Sequence, residues 1–184
     1  NCIVDLESVK PSEKAKRISR ITQKNPRLVQ LILNETKEII RVTKGVLIVE
    51  TNYGYICANA GIDSSNLSEN NLLSVLPSNP DKSADNIRNI INNKFGVKIG
   101  VIISDSFNRP WRKGSINVAL GISGFNPFLN LIGEKDDFGN PLKSTLVNIA
   151  DEIACAAQLV MGENSRIPVA AVRGFNLEKS NMKG

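Results

Sequence analysis

Two short stretches of this sequence gather oxygen donors of the kind that hold hard cations and phosphates. In one, Asp63 is followed by Ser64, Ser65 and Asn66; in the other, Asp105 stands between Ser104 and Ser106. Such carboxylates and hydroxyls suit Mg²⁺ or Mn²⁺, which keep several waters and take substrate phosphates as further ligands. An Asx-turn is the competing explanation, because Asp, Asn and Ser after a strand often satisfy loop backbone and nothing more. For either stretch alone that explanation is the stronger; two of them after successive strand-like runs tilt the balance towards a site. Arg109, Arg112 and Lys113 follow Asp105, with Pro110 and Trp111 between the two arginines. Guanidinium groups grip phosphate or carboxylate through two parallel hydrogen bonds, and an indole can stack on a ring or anchor the loop. Arginines paired with neighbouring carboxylates beside a half-buried Trp111 are the equal alternative. Glu163 lies just past the glycine that ends the last helix, a common place for a residue that lines a site, although alone it would be read as surface. The small residues 58–61 would let a ligand approach the backbone, but tight packing is the commoner reason for them, and neither GxGxxG nor a Walker A motif is present.

Composition narrows the chemistry further. The chain has no histidine and only three cysteines, Cys2, Cys57 and Cys155, without CxxC spacing. Histidine bases, Ser-His triads and His-ligated zinc are thereby excluded, and neither a disulfide framework nor a structural zinc site is expected. With 23 basic and 18 acidic residues the net charge is +5. That surplus accommodates anionic ligands without choosing among them. The basic residues 14–24 lack interleaved aromatics and read as a solvated helix face, not a nucleic-acid surface. No apolar run is long enough to span a bilayer and no signal peptide is visible, so a cytoplasmic, non-membrane protein is expected.

The elements that must position these groups follow from periodicity and punctuation. At 184 residues with 41% hydrophobic and 5% aromatic content, a single α+β (mixed α/β) domain with an aliphatic core is expected. The pattern predicts a helix over 12–24, a break at Asn25-Pro26, and a second helix over 26–42 ended by Gly45. A strand over 46–49 pairs with 53–58 as a hairpin. Ser83 is expected to cap a helix over 84–95 closed by Gly96. Residues 97–104 form the most strand-like run, and residues 114–142, apart from a short apolar stretch at 118–120, read as Gly-, Asn- and Pro-rich loop. Ser144 opens a last helix through Met161, with Asp151, Glu152, Cys155 and Gln158 on its polar side. A final strand is expected over 167–172. Asp136, Asp137 and Gly139 mark a turn.

Taken in chain order, a series of motifs resembles the coenzyme F420-0:γ-glutamyl ligase family. They run from Pro26-Arg27-Leu28-Val29 through Ala58-Asn59-Ala60-Gly61-Ile62-Asp63 with Ser65-Asn66, then Leu76-Pro77 and Asp81-Lys82-Ser83-Ala84. Ser104-Asp105-Ser106-Phe107, Arg109-Pro110-Trp111-Arg112 and Val118-Ala119-Leu120-Gly121 continue the series. Asp151-Glu152-Ile153-Ala154, Leu159-Val160-Met161-Gly162 and Arg173-Gly174 complete it. No one motif is decisive, but their order is collinear over nearly the whole chain.

The resemblance implies an enzyme that uses GTP and Mg²⁺ or Mn²⁺, with K⁺ as a further ion, to add L-glutamate to F420-0 and then more glutamates through γ-linkages. GTP would phosphorylate a substrate carboxylate, and the glutamate amine would attack the acyl phosphate. It implies Asp63 and Asp105 as metal ligands, Ser106 at a second metal, Glu163 as a further metal ligand, and Asn66 and the segment from Gly162 to Pro168 at the nucleotide. Arg109 and Arg112 are placed at phosphate or substrate by their chemistry alone. A family-type fold, a homodimer and a sheet shared between subunits are also implied. Tyr53 and Asn108 depart from the His and Gly often found there. The family's N-terminal segment, with a Ser-Lys pair at the nucleotide, has no counterpart, and the C-terminal end stops early. The 184 residues are therefore expected to be one domain lacking both natural ends. Two other readings remain at this level: an amide ligase for another carboxylate acceptor, and a basic module binding RNA or an anionic ligand. The last predicts steep salt dependence and indifference to Asp63 and Asp105.

Overall fold

Ser12 starts helix α1 (Glu13–Thr22) by accepting from the Ala15 amide at 3.2 Å, and the left-handed Gln23 ends it. Asn25 then caps α2 (Pro26–Asn34), whose first turn carries Pro26, where the missing amide proton costs nothing. A computed structural model of the chain describes residues 3–65, 67, 71–108 and 111–175. By their internal packing the residues fall into two compact units, Asn1–Ser78 and Asn79–Gly184. Both mix helices with small antiparallel sheets, an α+β architecture.

In the first unit, α1 and α2 pack Ala15, Ile18, Val29 and Ile32 against Leu47 and Val49. The helix expected over 26–42 is eight residues shorter in substance: its second half is a strand, β2 (Thr36–Thr43), of 8 residues. The helical spacing of Leu28, Leu31 and Ile32 runs on into Ile39 and Ile40, but Thr36, Ile39, Ile40, Val42 and Thr43 are β-branched and favour the pleated surface. Gly45, read as the end of a helix, instead serves the tight turn between β2 and β3 (Val46–Thr51), with φ of 75°. β4 (Ile56–Ala58) completes this sheet as the hairpin partner expected from the sequence, in the order β2-β3-β4. A second small pair joins β1 (Ile3–Asp5) to β5 (Leu72–Ser74).

The second unit is built on one long hairpin. Helix α3 (Pro80–Phe95) is capped by Asn79, whose side chain accepts from the Lys82 amide at 2.7 Å, not by Ser83 as expected, and Gly96 closes it in the left-handed region as expected. The strand expected over 97–104 is shifted to β6 (Val101–Asn108), which pairs with β7 (Ser115–Ser123), a strand hidden in what the sequence offers as loop. The shift matters, because Asp105 and Ser106 lie within a paired strand, not beyond its end. β8 (Phe128–Asn130) pairs with β9 (Leu146–Asn148), so the last helix, α4 (Ile149–Met161), starts later than expected and is capped by Asn148 instead of Ser144.

α3 and α4 cover opposite faces of the β6–β7 hairpin, as alternation along β7 shows. Gly121 lies so close to Pro80 that any Cβ would overlap the proline carbonyl, while its neighbour Ile122 packs with Phe125 and Ala150 of the other layer. Each helix also sends a first-turn carboxylate to a β7 amide: Asp81 accepts from Ile122 and Asp151 from Ala119, both at 2.8 Å. Asp151, expected on the polar side of the last helix, thus serves the sheet. Asp136 forms the expected turn, accepting from the Phe138 and Asn140 amides at 2.9 and 2.8 Å. No strand forms over residues 167–172 among the described residues, where Pro168 lacks an amide donor and no strand lies alongside. Among the described residues no helix is long and apolar enough to cross a membrane.

Candidate functional site

The Asp63 turn is prepared by an unusual backbone path. After β4, Asn59, Ala60 and Gly61 have φ of 54°, 56° and 70°, so three successive residues occupy the left-handed region. Only Gly61 does so at no steric cost, and a side chain there would also strike Leu76. Ala60 is buried in the core of its unit, which fixes the turn. The chain then presents Asp63 with its backbone paired to Ser74, through bonds of 3.1 and 2.8 Å. The exposed Asp63 side chain accepts at Oδ1 from the amides of Ser64 and Ser65, at 2.8 and 3.1 Å, and at Oδ2 from the Ser65 hydroxyl. Partial burial pushes its carboxyl up, but the Ser65 hydroxyl and the two amides together outweigh it and hold the group below its ordinary range. This is an Asx-turn and also an ionised carboxylate held in place. Asn66 lies outside the described residues.

A second constellation lies on β6, β7 and the end of α4. Asp105 and Ser106, adjacent on a strand, project to opposite faces. Asp105 accepts from the Ser106 amide at 2.8 Å. Ser106 shares its face with Asn117, its partner across the ladder. Its Oγ lies 3.1 Å from Asn117 Oδ1 and 3.2 Å from Glu163 Oε1, and its one proton can serve either. Asn117, 4% exposed, donates from Nδ2 to Gln158 Oε1 at 2.9 Å and to Ser104 Oγ at 3.4 Å. Gln158 in turn donates from Nε2 to Glu163 Oε1 at 2.7 Å. Gly162 makes the corner: it ends α4 with φ of 62° and sends the chain back so that Glu163 returns to the strand face.

The structure therefore brings Ser106 and Glu163 together, which the sequence separates by 57 residues. Arg112 is exposed in the loop between β6 and β7, beside Trp111, which is 99% exposed and so not half-buried. Arg109 lies outside the described residues. Pro168 is exposed in an irregular segment. Asn117 and Gln158 were missed. Their only signal was a polar residue between Ile116 and Val118 and an amide on the same side of α4 as Cys155, whose thiol meets the Asn117 carbonyl at 3.2 Å.

A hydroxyl on β6 and a carboxylate on the segment after α4 are hard oxygen donors of the kind that Mg²⁺ or Mn²⁺ takes, so Ser106 and Glu163 fit such an ion. Among the described residues no three carboxylate or thiol groups converge, and the remaining shell would be water and phosphate oxygen, as is usual for these cations.

Residues 1–174 match the family model described as F420-0:gamma-glutamyl ligase. The chain is 46% identical over 183 residues to the coenzyme F420:L-glutamate ligase of Methanocaldococcus jannaschii, covering 99% of this chain and 73% of that protein. It is 44% identical to the protein of the same name from Methanothermobacter thermautotrophicus, covering 94% of this chain and 69% of the relative. The likeness to that from Archaeoglobus fulgidus is 42%, over the same shares of the two chains, 94% and 69%.

Proposed function

The chain belongs to the F420-0:gamma-glutamyl ligase family, and on that premise we propose that it joins L-glutamate to coenzyme F420-0 through an amide bond, with GTP supplying the energy. Further glutamates follow by γ-linkage. The terminal phosphoryl group of GTP passes to the acceptor carboxylate, giving an acyl phosphate and GDP. The glutamate amine attacks the acyl carbon, the C–N bond forms, the bond to the phosphate oxygen breaks, and phosphate leaves with the electron pair while the amine loses a proton.

Such chemistry asks for positioning and charge neutralisation more than for a histidine base, which fits a chain without histidine. Asp63 would be a ligand of Mg²⁺ or Mn²⁺, as would, each in its own place, Asp105, Ser106 and Glu163, and cations bound there would offset phosphate charge. Arg109 and Arg112 would meet phosphate or acceptor carboxylate through paired hydrogen bonds, and Asn66 with the segment from Gly162 to Pro168 would meet the nucleotide. K⁺ as an auxiliary ion, a homodimer with a sheet shared between subunits, and a cytoplasmic location belong to the same proposal.

The observation that most supports the reading is the meeting of Ser106 Oγ and Glu163 Oε1 at 3.2 Å, two hard donors from distant parts of the sequence in a chain whose relatives carry the ligase name. Calorimetric titration of GTP with Mn²⁺, on the wild type and on Asp105→Asn, tests it, followed by mass spectrometry of F420-0 incubated with L-glutamate. Metal-dependent GTP binding that the substitution weakens at least about 100-fold, together with glutamylated product from the wild type, is expected, given that loss of one preorganised electrostatic partner commonly costs that much. Undiminished binding and turnover in Asp105→Asn would remove that residue from the site.

A further inference from the structure

We infer that Gln158 and Asn117 are positioning residues that set Ser106 and Glu163 as a preformed cation-binding pair, with Asn117 taking the serine proton when the cation is bound. The inference rests on Ser106 and Glu163 being cation ligands, as proposed above. What the structure adds is a chain of hydrogen bonds with a definite sense, from Ser106 through Asn117 and Gln158 to Glu163. Asn117 Nδ2 donates to Gln158 Oε1 at 2.9 Å, which orients the asparagine so that its Oδ1 faces Ser106. Because Gln158 Oε1 is engaged as an acceptor, its Nε2 is turned to Glu163, where it donates at 2.7 Å. Ser104 takes the second proton of Asn117 Nδ2 at 3.4 Å, so the buried carboxamide has little freedom to flip. The chain of donors runs from serine through two carboxamides and ends on a carboxylate, where each bond polarises the next in the same direction.

This arrangement resolves a conflict at Ser106. A hydroxyl that donates to Glu163 places a proton between the two side chains that would hold the cation. With Asn117 Oδ1 at 3.1 Å the serine has a second acceptor of nearly equal reach. Turning the proton to Asn117 leaves the Ser106 lone pairs open on the Glu163 side. Gln158 holds Glu163 through Oε1, and among the described residues no hydrogen bond engages Oε2, so that oxygen is left for the ion. Neither carboxamide touches the cation: Asn117 and Gln158 act through their neighbours, as the outer partners of metal ligands do. The same bonds also have a structural use, joining α4 to β6 and β7, and the two roles differ in what they do to stability without metal.

Gln158→Met keeps length and helix propensity but removes both hydrogen bonds, and Gln158→Ala cannot overpack. Mn²⁺ affinity is read by electron paramagnetic resonance on the full chain with GTP, alongside the thermal midpoint without metal. Both variants are expected to bind Mn²⁺ roughly 10- to 100-fold more weakly than wild type, the usual cost of losing an outer partner of a ligand, with the metal-free midpoint within a few degrees. Mn²⁺ affinity equal to wild type in both variants overturns the inference while leaving the ligase reading standing. Weakened binding accompanied by an equivalent collapse of the metal-free midpoint overturns it in favour of a structural role. Wild-type protein that binds GTP without any Mn²⁺ requirement overturns it together with the assignment of Ser106 and Glu163.

Discussion

The Asp63 turn and the Ser106–Glu163 cluster offer the same kind of oxygen donor and are built by opposite means. At Asp63 every partner of the carboxylate lies one or two residues away, in the amides of Ser64 and Ser65 and the Ser65 hydroxyl. At Ser106 the partners come from 11 and 57 residues away, and Asn117 and Gln158 are separated by 41. The first exists as soon as its turn forms. The second exists only after β6 has paired with β7, and α4 has docked on them. The carboxylate contacts of the first kind are made within the turn itself, whereas the second set inherits every error in the layers that build it, and can be tuned from far away.

The harshest way to break this comparison is to remove one carboxylate from each region and ask whether both matter to the same reaction. Asp63→Asn keeps an oxygen for the Ser64 and Ser65 amides, and Glu163→Gln keeps one for Gln158, so neither should unfold its surroundings. Each is expected to lower glutamylation of F420-0 by roughly 10²- to 10³-fold, the range seen when one preorganised electrostatic partner of a developing charge is lost. The measurement is initial-rate kinetics with GTP saturating. A large loss in Glu163→Gln beside full activity in Asp63→Asn would mean that the turn is only the Asx-turn its sequence allows, and that the two regions do not share a reaction.

A second way acts on packing alone. Gly121→Ala places a methyl group against the Pro80 carbonyl, where α3 meets β7. Backbone cannot yield there as a flexible side chain would, so destabilisation of about 1–3 kcal/mol or more is expected. For a chain of this length that corresponds to roughly 2–4 °C in thermal midpoint for each kcal/mol. Because β7 carries Asn117 as well as Gly121, Mn²⁺ affinity should fall with the midpoint. An unchanged midpoint would show that α3 lifts from the hairpin without cost, and the dependence of the cluster on its layers would be overstated.

The same division explains what could be read from the sequence. Ser12, Asn25-Pro26 and Gly96 act through their immediate neighbours, and each punctuates a helix as its type requires. Asp63 with its serines and the Asp136 turn are local as well, and both were legible. Misreadings arose where the deciding partner is remote. Residues 36–43 carry an apolar spacing that suits either period, and β3 settles it by pairing across Lys44-Gly45. β7 looks like loop because its glycine and asparagine belong to contacts invisible in one dimension: Gly121 to the approach of Pro80, Asn117 to Gln158. Ser106 and Glu163 stand out in the sequence as a donor beside Asp105 and a helix-end carboxylate, but their meeting does not follow from spacing. Gln158 gave no signal beyond its place on the polar side of a helix.

The smallest expected effect belongs to the local region, and its sign can be worked out. The Asp63 carboxyl sits below its ordinary range because the Ser65 hydroxyl and the Ser64 and Ser65 amides outweigh burial. A depressed carboxylate pKa contributes stability that is fully present above the unfolded value, near pH 4, and is lost as the pH falls through the lower folded value. Ser65→Ala removes the largest of the three lowering contacts, so the folded pKa rises towards its ordinary range. At neutral pH the variant should be less stable by no more than about 1 kcal/mol, since the group is exposed and water screens it. The difference from wild type should shrink as both proteins are taken below about pH 4, because a protonated carboxyl no longer draws on the hydroxyl as an ion does. Carbon-detected NMR titration of the Asp63 carboxyl reads the pKa directly, and thermal midpoints between neutral and acid pH read the stability. A Ser65→Ala difference that stays constant across that range would place the effect in the packing of the turn instead of in the charge it holds, and the Asp63 region would then be no more than a well-made loop.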